Sequence, residues 1–290
     1  MTTILGPNRY GKSRVRLMKV TRAGNTHQVS EWTVEVWLTG AFEECFVEGD
    51  NSRILPTDTM KNTVYSLARA STAASMEEFA IELVSHFIET NRHAESAEVR
   101  IQSTSWKHLV ADGEEFPTAF THAEDKLDTT TVTLSRINGL AVTSGFEKLW
   151  LLKTARSAFT GFLKDRLTTL KETHDRLFGT LASAEWGYAG VNLDPNALRG
   201  RIQAVLLRAF ATHNSLSVQQ TLYAMCRAAL EAVPEVTQIH LSMPNKHCNL
   251  VDLSAFGQNN PNEIFVPTDE PHGSIEATAQ RGAAVPGSAE

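Results

Sequence analysis

The stretch Ser30-Glu31-Trp32-Thr33-Val34-Glu35-Val36-Trp37-Leu38-Thr39 decides the fold. Trp32, Val34, Val36 and Leu38 alternate with Glu31, Thr33, Glu35 and Thr39, and Trp37 is the exception on the polar side. A period of two marks a strand with one face in a core and the other outside it. Towards the N-terminus, Val15 to Val20 reads as another strand. Towards the C-terminus comes a turn-rich stretch, Val47 to Leu55, and then a helix from about Asp58 to Ala70. Met60, Val64, Leu67 and Ala68 fall on one face of that helix. Ser75 starts a second helix, with Glu78 completing a capping box and Met76, Phe79, Ala80, Leu83, Val84, Phe87 and Ile88 as its buried stripe. Two alternating segments follow, Glu98 to His108 and Thr129 to Ile137. Asn138-Gly139 then signals a hairpin, because both residue types tolerate positive φ.

The second half repeats this order. Strands are expected at Leu140–Ser144, Lys148–Lys153 and about Arg176–Leu181. Helices follow at about Ala197–Thr212 and from Ser217, where Gln220 completes a second capping box. Strands close the half at Gln238–Met243 and Leu250–Leu253. Each half therefore reads approximately strand, strand, helix, helix, strand, strand. The fold class is α+β: antiparallel sheets with a helix pair on one face. The other face must meet solvent or another subunit, and Trp37, Trp106 and Trp150 on the strands favour burial in an oligomer. The expected division is a first domain over 1–137, a second over 138–270, and a disordered Ala-, Gly-, Pro- and Ser-rich tail over 271–290.

Composition narrows the function classes. The 290 residues are 42% hydrophobic and 21% charged, as in an ordinary globular protein, and a net charge of -6 argues against nucleic acid as a partner. No apolar run reaches the length of a membrane helix, and Met1 to Asn8 lacks the apolar core of a secretory signal. Cys45, Cys226 and Cys248 are too few and too unpatterned for a disulfide scaffold, which suits a reducing compartment.

One motif is rejected. Gly6-Pro7-Asn8-Arg9-Tyr10-Gly11-Lys12-Ser13 fits the phosphate-loop pattern by letter. That pattern needs a strand before the loop and a helix after it. Almost no chain precedes Gly6, and Val15 to Val20 prefers a strand, so the match is fortuitous. The ten histidines form no metal-binding spacing, and neither a dinucleotide fingerprint nor a nucleophile elbow occurs. Any chemistry is expected to run without a metal or nucleotide cofactor.

Several segments taken together resemble urate oxidase. They are Tyr10-Gly11-Lys12-Ser13, Thr57-Asp58-Thr59-Met60-Lys61-Asn62-Thr63-Val64-Tyr65, Phe159 to Asp165, Thr168 to Arg176, Ser217-Val218-Gln219, and Pro244-Asn245-Lys246-His247. The resemblance runs from about Gly11 to Val266. It implies tandem tunnelling-fold domains that dimerise into a barrel, usually as a homotetramer with active sites shared between subunits. It also implies oxidation of urate by dioxygen to 5-hydroxyisourate and hydrogen peroxide, with no cofactor. Lys12, Thr57 and His247 would form a proton relay. Asp58, Phe159, Arg176, Val218, Gln219 and Asn245 would bind substrate, with Asn245 over dioxygen and later the attacking water. These residue types suit a flat, acidic purine: a planar guanidinium fork, an amide offering both donor and acceptor, and an aromatic ring to stack. A threonine is a poor base alone, so a partner must activate it, and Lys12 can help only in a neutral form favoured by burial or nearby cations. The chain ends Gly287-Ser288-Ala289-Glu290, which is no peroxisomal address, so a cytoplasmic enzyme is expected.

Each of these residues also has an ordinary reading. Thr57 and Asp58 suit a helix N-cap. Arg176 could pair with Asp175 or Glu172, Phe159 could be core, and His247 could be structural. Two other functions fit the same fold: a tunnelling-fold enzyme acting on pterin or guanine derivatives, and a protein that binds purines without turning them over.

Overall fold

The computed structural model describes residues 3–190 and 193–282. The chain forms two compact units, Met1–Phe146 and Glu147–Glu290. The division falls later than the expected junction at 137/138, inside the strand Gly139–Lys153 that follows it.

The first unit opens with β1 (Tyr10–Ala23) and β2 (Thr26–Gly40), an antiparallel pair. A short α1 (Glu43–Val47) leads to α2 (Thr57–Ala70) and α3 (Met76–Thr90), followed by β3 (Ala94–Ala111), β4 (Glu114–Ser135) and the first part of β5 (Gly139–Lys153). The strand order is β1-β2-β3-β4-β5. Val34, Val36 and Leu38 are fully buried, as their alternation requires, and so are Val99 and Ile101 on β3. They pack under Met60 and Val64 of α2 and Phe79, Leu83 and Phe87 of α3 in one hydrophobic cluster. Trp32, on the same face, stacks on Phe79 with ring centroids 5.2 Å apart.

The second unit takes β5 on from Glu147 and adds β6 (Phe178–Tyr188), α4 (Pro195–Thr212), α5 (Val218–Ala232), β7 (Val236–Ser242), β8 (Asn245–Lys246), β9 (Cys248–Leu250), β10 (Phe265–Pro267) and β11 (Glu276–Gln280). Its order is β5-β6-β7-β11, with β8 also on β6. Alternate residues Phe178, Thr180, Ala182, Ala184 and Trp186 of β6 are buried, as are Leu222, Met225, Cys226 and Ala229 on one stripe of α5. The α+β class and the repeated order of the halves both hold.

Both capping boxes form. Ser75 Oγ accepts from the Glu78 N–H and the Glu78 carboxylate accepts from the Ala74 N–H at 2.7 Å. Ser217 Oγ accepts from the Gln220 N–H and the Gln220 side chain accepts from the Leu216 N–H at 2.9 Å. Each box satisfies two donors that a helix start otherwise leaves open.

Two expectations need correction. The hairpin after β4 is not a two-residue turn on Asn138-Gly139. Ser135 Oγ accepts from the N–H groups of Ile137 and Asn138, and only Gly139 takes a positive φ, +75°. A three-residue turn, Arg136–Asn138, leads into a left-handed Gly139 at the start of the next strand. The β3–β4 hairpin turns on Asp112-Gly113, both at positive φ. The tail is not wholly irregular: Glu276–Gln280 pairs with β7 along its whole length. On the strands, Trp150 is 54% exposed on β5, whereas Trp37 is half-buried under the Arg9 guanidinium, 4.4 Å from its ring centroid.

Candidate active site

In the first unit, Lys12 lies on β1 at a register shift between Lys12 and Val15. The two chains come very close just before it. A Cβ on Gly11 would sit 1.9 Å from the Val36 carbonyl oxygen, so only glycine fits. Tyr10 fixes the same segment from the other side. Its hydroxyl accepts from the Leu55 N–H at 2.9 Å, and its ring packs edge-on to Phe42. That bond ties the start of β1 to Leu55-Pro56, the lead-in to α2.

Pro56, not Thr57 or Asp58, is the N-cap residue of α2, and no side chain caps this end. Its ring fixes φ at -55°, ready for entry into a helix. Thr57 is thus the first helical residue, half-buried, with its hydroxyl released from the cap role. Asp58 is exposed and accepts from Lys61 and Asn62 of its own helix. The hydrogen bond from Lys61 holds its carboxyl below the usual carboxylate range, and the charge of Lys12 adds slightly to this. Lys12 and the start of α2 therefore lie within electrostatic reach of each other.

In the second unit, Phe159 exchanges backbone bonds with Thr173 in an isolated bridge and stacks on Phe162 at 5.0 Å. It is half-buried rather than core. The Arg176 guanidinium sits 5.3 Å from the Phe159 ring centroid. Neither expected carboxylate pairs with it: Asp175 accepts from the Ser157 N–H, and Glu172 pairs with Lys164 at 2.8 Å. Burial pushes the Arg176 pKa down, yet a guanidinium stays charged at neutral pH. Arg176 Nε is buried and has no hydrogen-bond partner among the described residues; the same is true of Ser157 Oγ and Thr180 Oγ1. Buried donors left this way call for a partner from outside the chain.

The start of α5 is brought up beside this pair. The Ala158 N–H donates to Ser215 and the Ser215 N–H to Arg156, in a parallel bridge between Ser157 and Ser215. Val218 and Gln219 are the first two residues of α5, Val218 buried and Gln219 exposed. Their N–H groups belong to the helix start, where no backbone acceptor is available and the dipole favours negative charge. Asn245 and Lys246 pair with Thr180 and Gly179 of β6. This antiparallel register carries the chain from Asn245 to an exposed His247 in the direction of Phe178, two residues after Arg176.

The sequence profile of the uricase family matches residues 8–133 and 142–276. The chain belongs to the uricase family. A uricase of Arthrobacter globiformis is 42% identical over 278 residues, 96% of this chain and 90% of that protein. A uricase of Dictyostelium discoideum is 38% identical over 284 residues, 97% and 98% of the two chains. The crystal structure of the Arthrobacter globiformis uricase superposes with a TM-score of 0.92 over 97% of this chain and 96% of that one, at 41% identity. A Bacillus fastidious uricase, at 21% identity and a TM-score of 0.81, shares the fold. Within this uricase-family chain, Lys12, Thr57 and Asp58 lie in the first unit and the other six expected site residues in the second. Among the described residues, no group of three or more His, Cys, Asp or Glu side chains could hold a metal ion. The contacts by which Tyr10 and Ser157 position the site could not be read from the sequence. A tyrosine hydroxyl or a serine amide carries no signal of its partner in the sequence.

Proposed function

We propose that this chain is a cofactor-independent urate oxidase of purine degradation. Urate, dioxygen and water give 5-hydroxyisourate and hydrogen peroxide. Two electrons leave the purine and reduce dioxygen to peroxide, and water supplies the new hydroxyl. Arg176 grips one edge of the urate anion with two parallel N–H donors. The Gln219 amide and the Val218 N–H take the neighbouring edge, helped by the α5 dipole. Phe159 stacks on the purine ring. Asn245 holds dioxygen, then the attacking water, above the ring.

Lys12, Thr57 and His247 move the protons, and Asp58 joins the substrate contacts. Release of Thr57 from the cap role supports its part, because a capping hydroxyl is already committed to backbone donors. The working enzyme is a cytoplasmic homotetramer in this reading. One chain brings Lys12, Thr57 and Asp58 to a site that a neighbour completes.

The observation that carries the reading is the half-buried Arg176. It has no carboxylate partner among the described residues, has an unsatisfied Nε, and lies against Phe159 beside the start of α5, where the Val218 and Gln219 N–H groups stand outside the capping box. Chelator-treated protein mixed with urate should consume it, followed by ultraviolet absorbance, and release one peroxide per urate. Tight urate binding without peroxide would reduce the site to a purine clamp, and neither binding nor turnover would overturn the reading.

A further inference from the structure

Arg136 and Arg281 make the same set of bonds in the two units. Arg136 Nε donates to the Ala94 carbonyl at 2.8 Å, and Nη2 donates to Ile88 and Asn91 at the end of α3. Arg281 Nε donates to the Val236 carbonyl at 2.8 Å, and Nη2 donates to Leu230 and Val233 at the end of α5. Even the backbone matches: the Arg136 N–H bonds Glu95 and the Arg281 N–H bonds Thr237. The acceptors are spaced identically along the chain in both units. Each guanidinium neutralises carbonyls that a helix C-terminus leaves open and pins the strand before it to the strand after the helix. β11 is therefore the counterpart of β4, fastened by the same device.

The segment ahead of β11 does something that β4 does not. It laces the chain around Asn245 and His247, one bond after another. Cys248 pairs with Pro267, and the Thr268 N–H donates to the His247 carbonyl at 2.9 Å. The Asn245 N–H donates to Gly273 and the Met243 N–H to Ile275, both at 2.8 Å. Ser242 then pairs with Glu276 at the start of β11. β8 itself has only two residues, both paired to β6, so β6 and this strap are what hold it. Short, irregular carriers open locally at low cost unless both sides are bonded.

We propose that Pro267–Arg281 is a strap that positions Asn245 and His247, with Arg281 as its fastening. The activity arm of this inference rests on the functional reading above; the structural arm does not. In the unsubstituted protein, native-state hydrogen exchange should show the Met243 and Asn245 amides opening in one event with the amides of Glu276–Gln280. Protection of Met243 and Asn245 that survives opening of β11 would overturn the strap. Arg281→Ala should expose those two amides and lower kcat about tenfold, with KM for urate nearly unchanged, because displacement of a reacting group costs rate more than binding. Arg281→Lys keeps the charge but not the fork, and should lie between the two. Arg136→Ala, the matched lesion, should loosen the end of α3 and leave kcat as it was. An Arg281→Ala protein with full kcat, or an Arg136→Ala protein with the same loss, would overturn the positioning role. If Arg281→Ala does not fold, the exchange pattern of the unsubstituted protein and the kcat of Arg281→Lys decide. Absence of urate turnover in the unsubstituted protein would count against the functional reading, and the exchange arm alone would then decide the strap.

Discussion

The two units share one plan and hold their candidate residues differently. In the first, Lys12 and Thr57 sit on long regular elements, β1 and α2, and the close approach at Gly11 and the Tyr10–Leu55 bond set their spacing. In the second, Phe159, Arg176, Asn245 and His247 sit on irregular chain or on a two-residue strand, positioned by backbone bonds to neighbouring segments. Regular elements suit groups that must keep one distance while protons move. Laced loops allow several side chains to be aimed at one flat ligand. The comparison makes a division of labour testable: proton chemistry mainly from Lys12 and Thr57 of the first unit, purine binding mainly from the second.

Thr57→Ala and Lys12→Met should give the largest effects. Each is expected to lower kcat by about 100-fold or more, with KM for urate changing far less, since acid–base groups of this kind contribute roughly that much. Steady-state peroxide release measures both constants, and wild-type rates in both variants would break the division. Arg176→Lys should do the reverse, raising KM for urate about 10- to 100-fold, because an ammonium cannot reproduce the fork. An unchanged KM would remove Arg176 from the clamp.

Gly11→Ala sharpens the comparison on the structural side. The new methyl must push β2 away at Val36, which should cost about 1–3 kcal/mol in denaturant unfolding and cut activity through Lys12. A variant of full stability would contradict the close approach. The smallest effect is expected in α5. Burial pushes the Cys226 thiol up to about 12 from an ordinary 9.0. The folded state keeps its proton while the unfolded state loses it, so stability is fully present below pH 9 and falls as pH rises towards 12. At pH 10 the loss is on the order of 1 kcal/mol. Cys226→Ala should lack this slope, as urea unfolding at pH 8 and pH 10 would reveal.

The same contrast governs what could be read in advance. Alternating β2, the stripes of α2, α3 and α5, and both capping boxes were legible, because burial writes its period into side chains. β11 was not: Glu276-Ala277-Thr278-Ala279-Gln280 has no apolar alternation and is held by backbone pairing and by Arg281. The Asp112-Gly113 turn did carry a local signal, and it went unread between long polar strands. Among the site residues, Arg176 left two readings open. The structure decides against pairing with Asp175 or Glu172 because both carboxylates are taken by other donors. The cap role of Thr57 fails for a reason visible only in the backbone: Pro56 already occupies that position.

Anaerobic titration with urate, followed by admission of air, tests the central claim most directly. Unsubstituted protein and Thr57→Ala should bind urate with similar affinity, and Arg176→Gln should bind it much more weakly. On admitting air, only the unsubstituted protein should convert the bound urate rapidly and release an equivalent of peroxide. Loss of binding in Thr57→Ala, or retention of both binding and turnover in Arg176→Gln, would contradict the account.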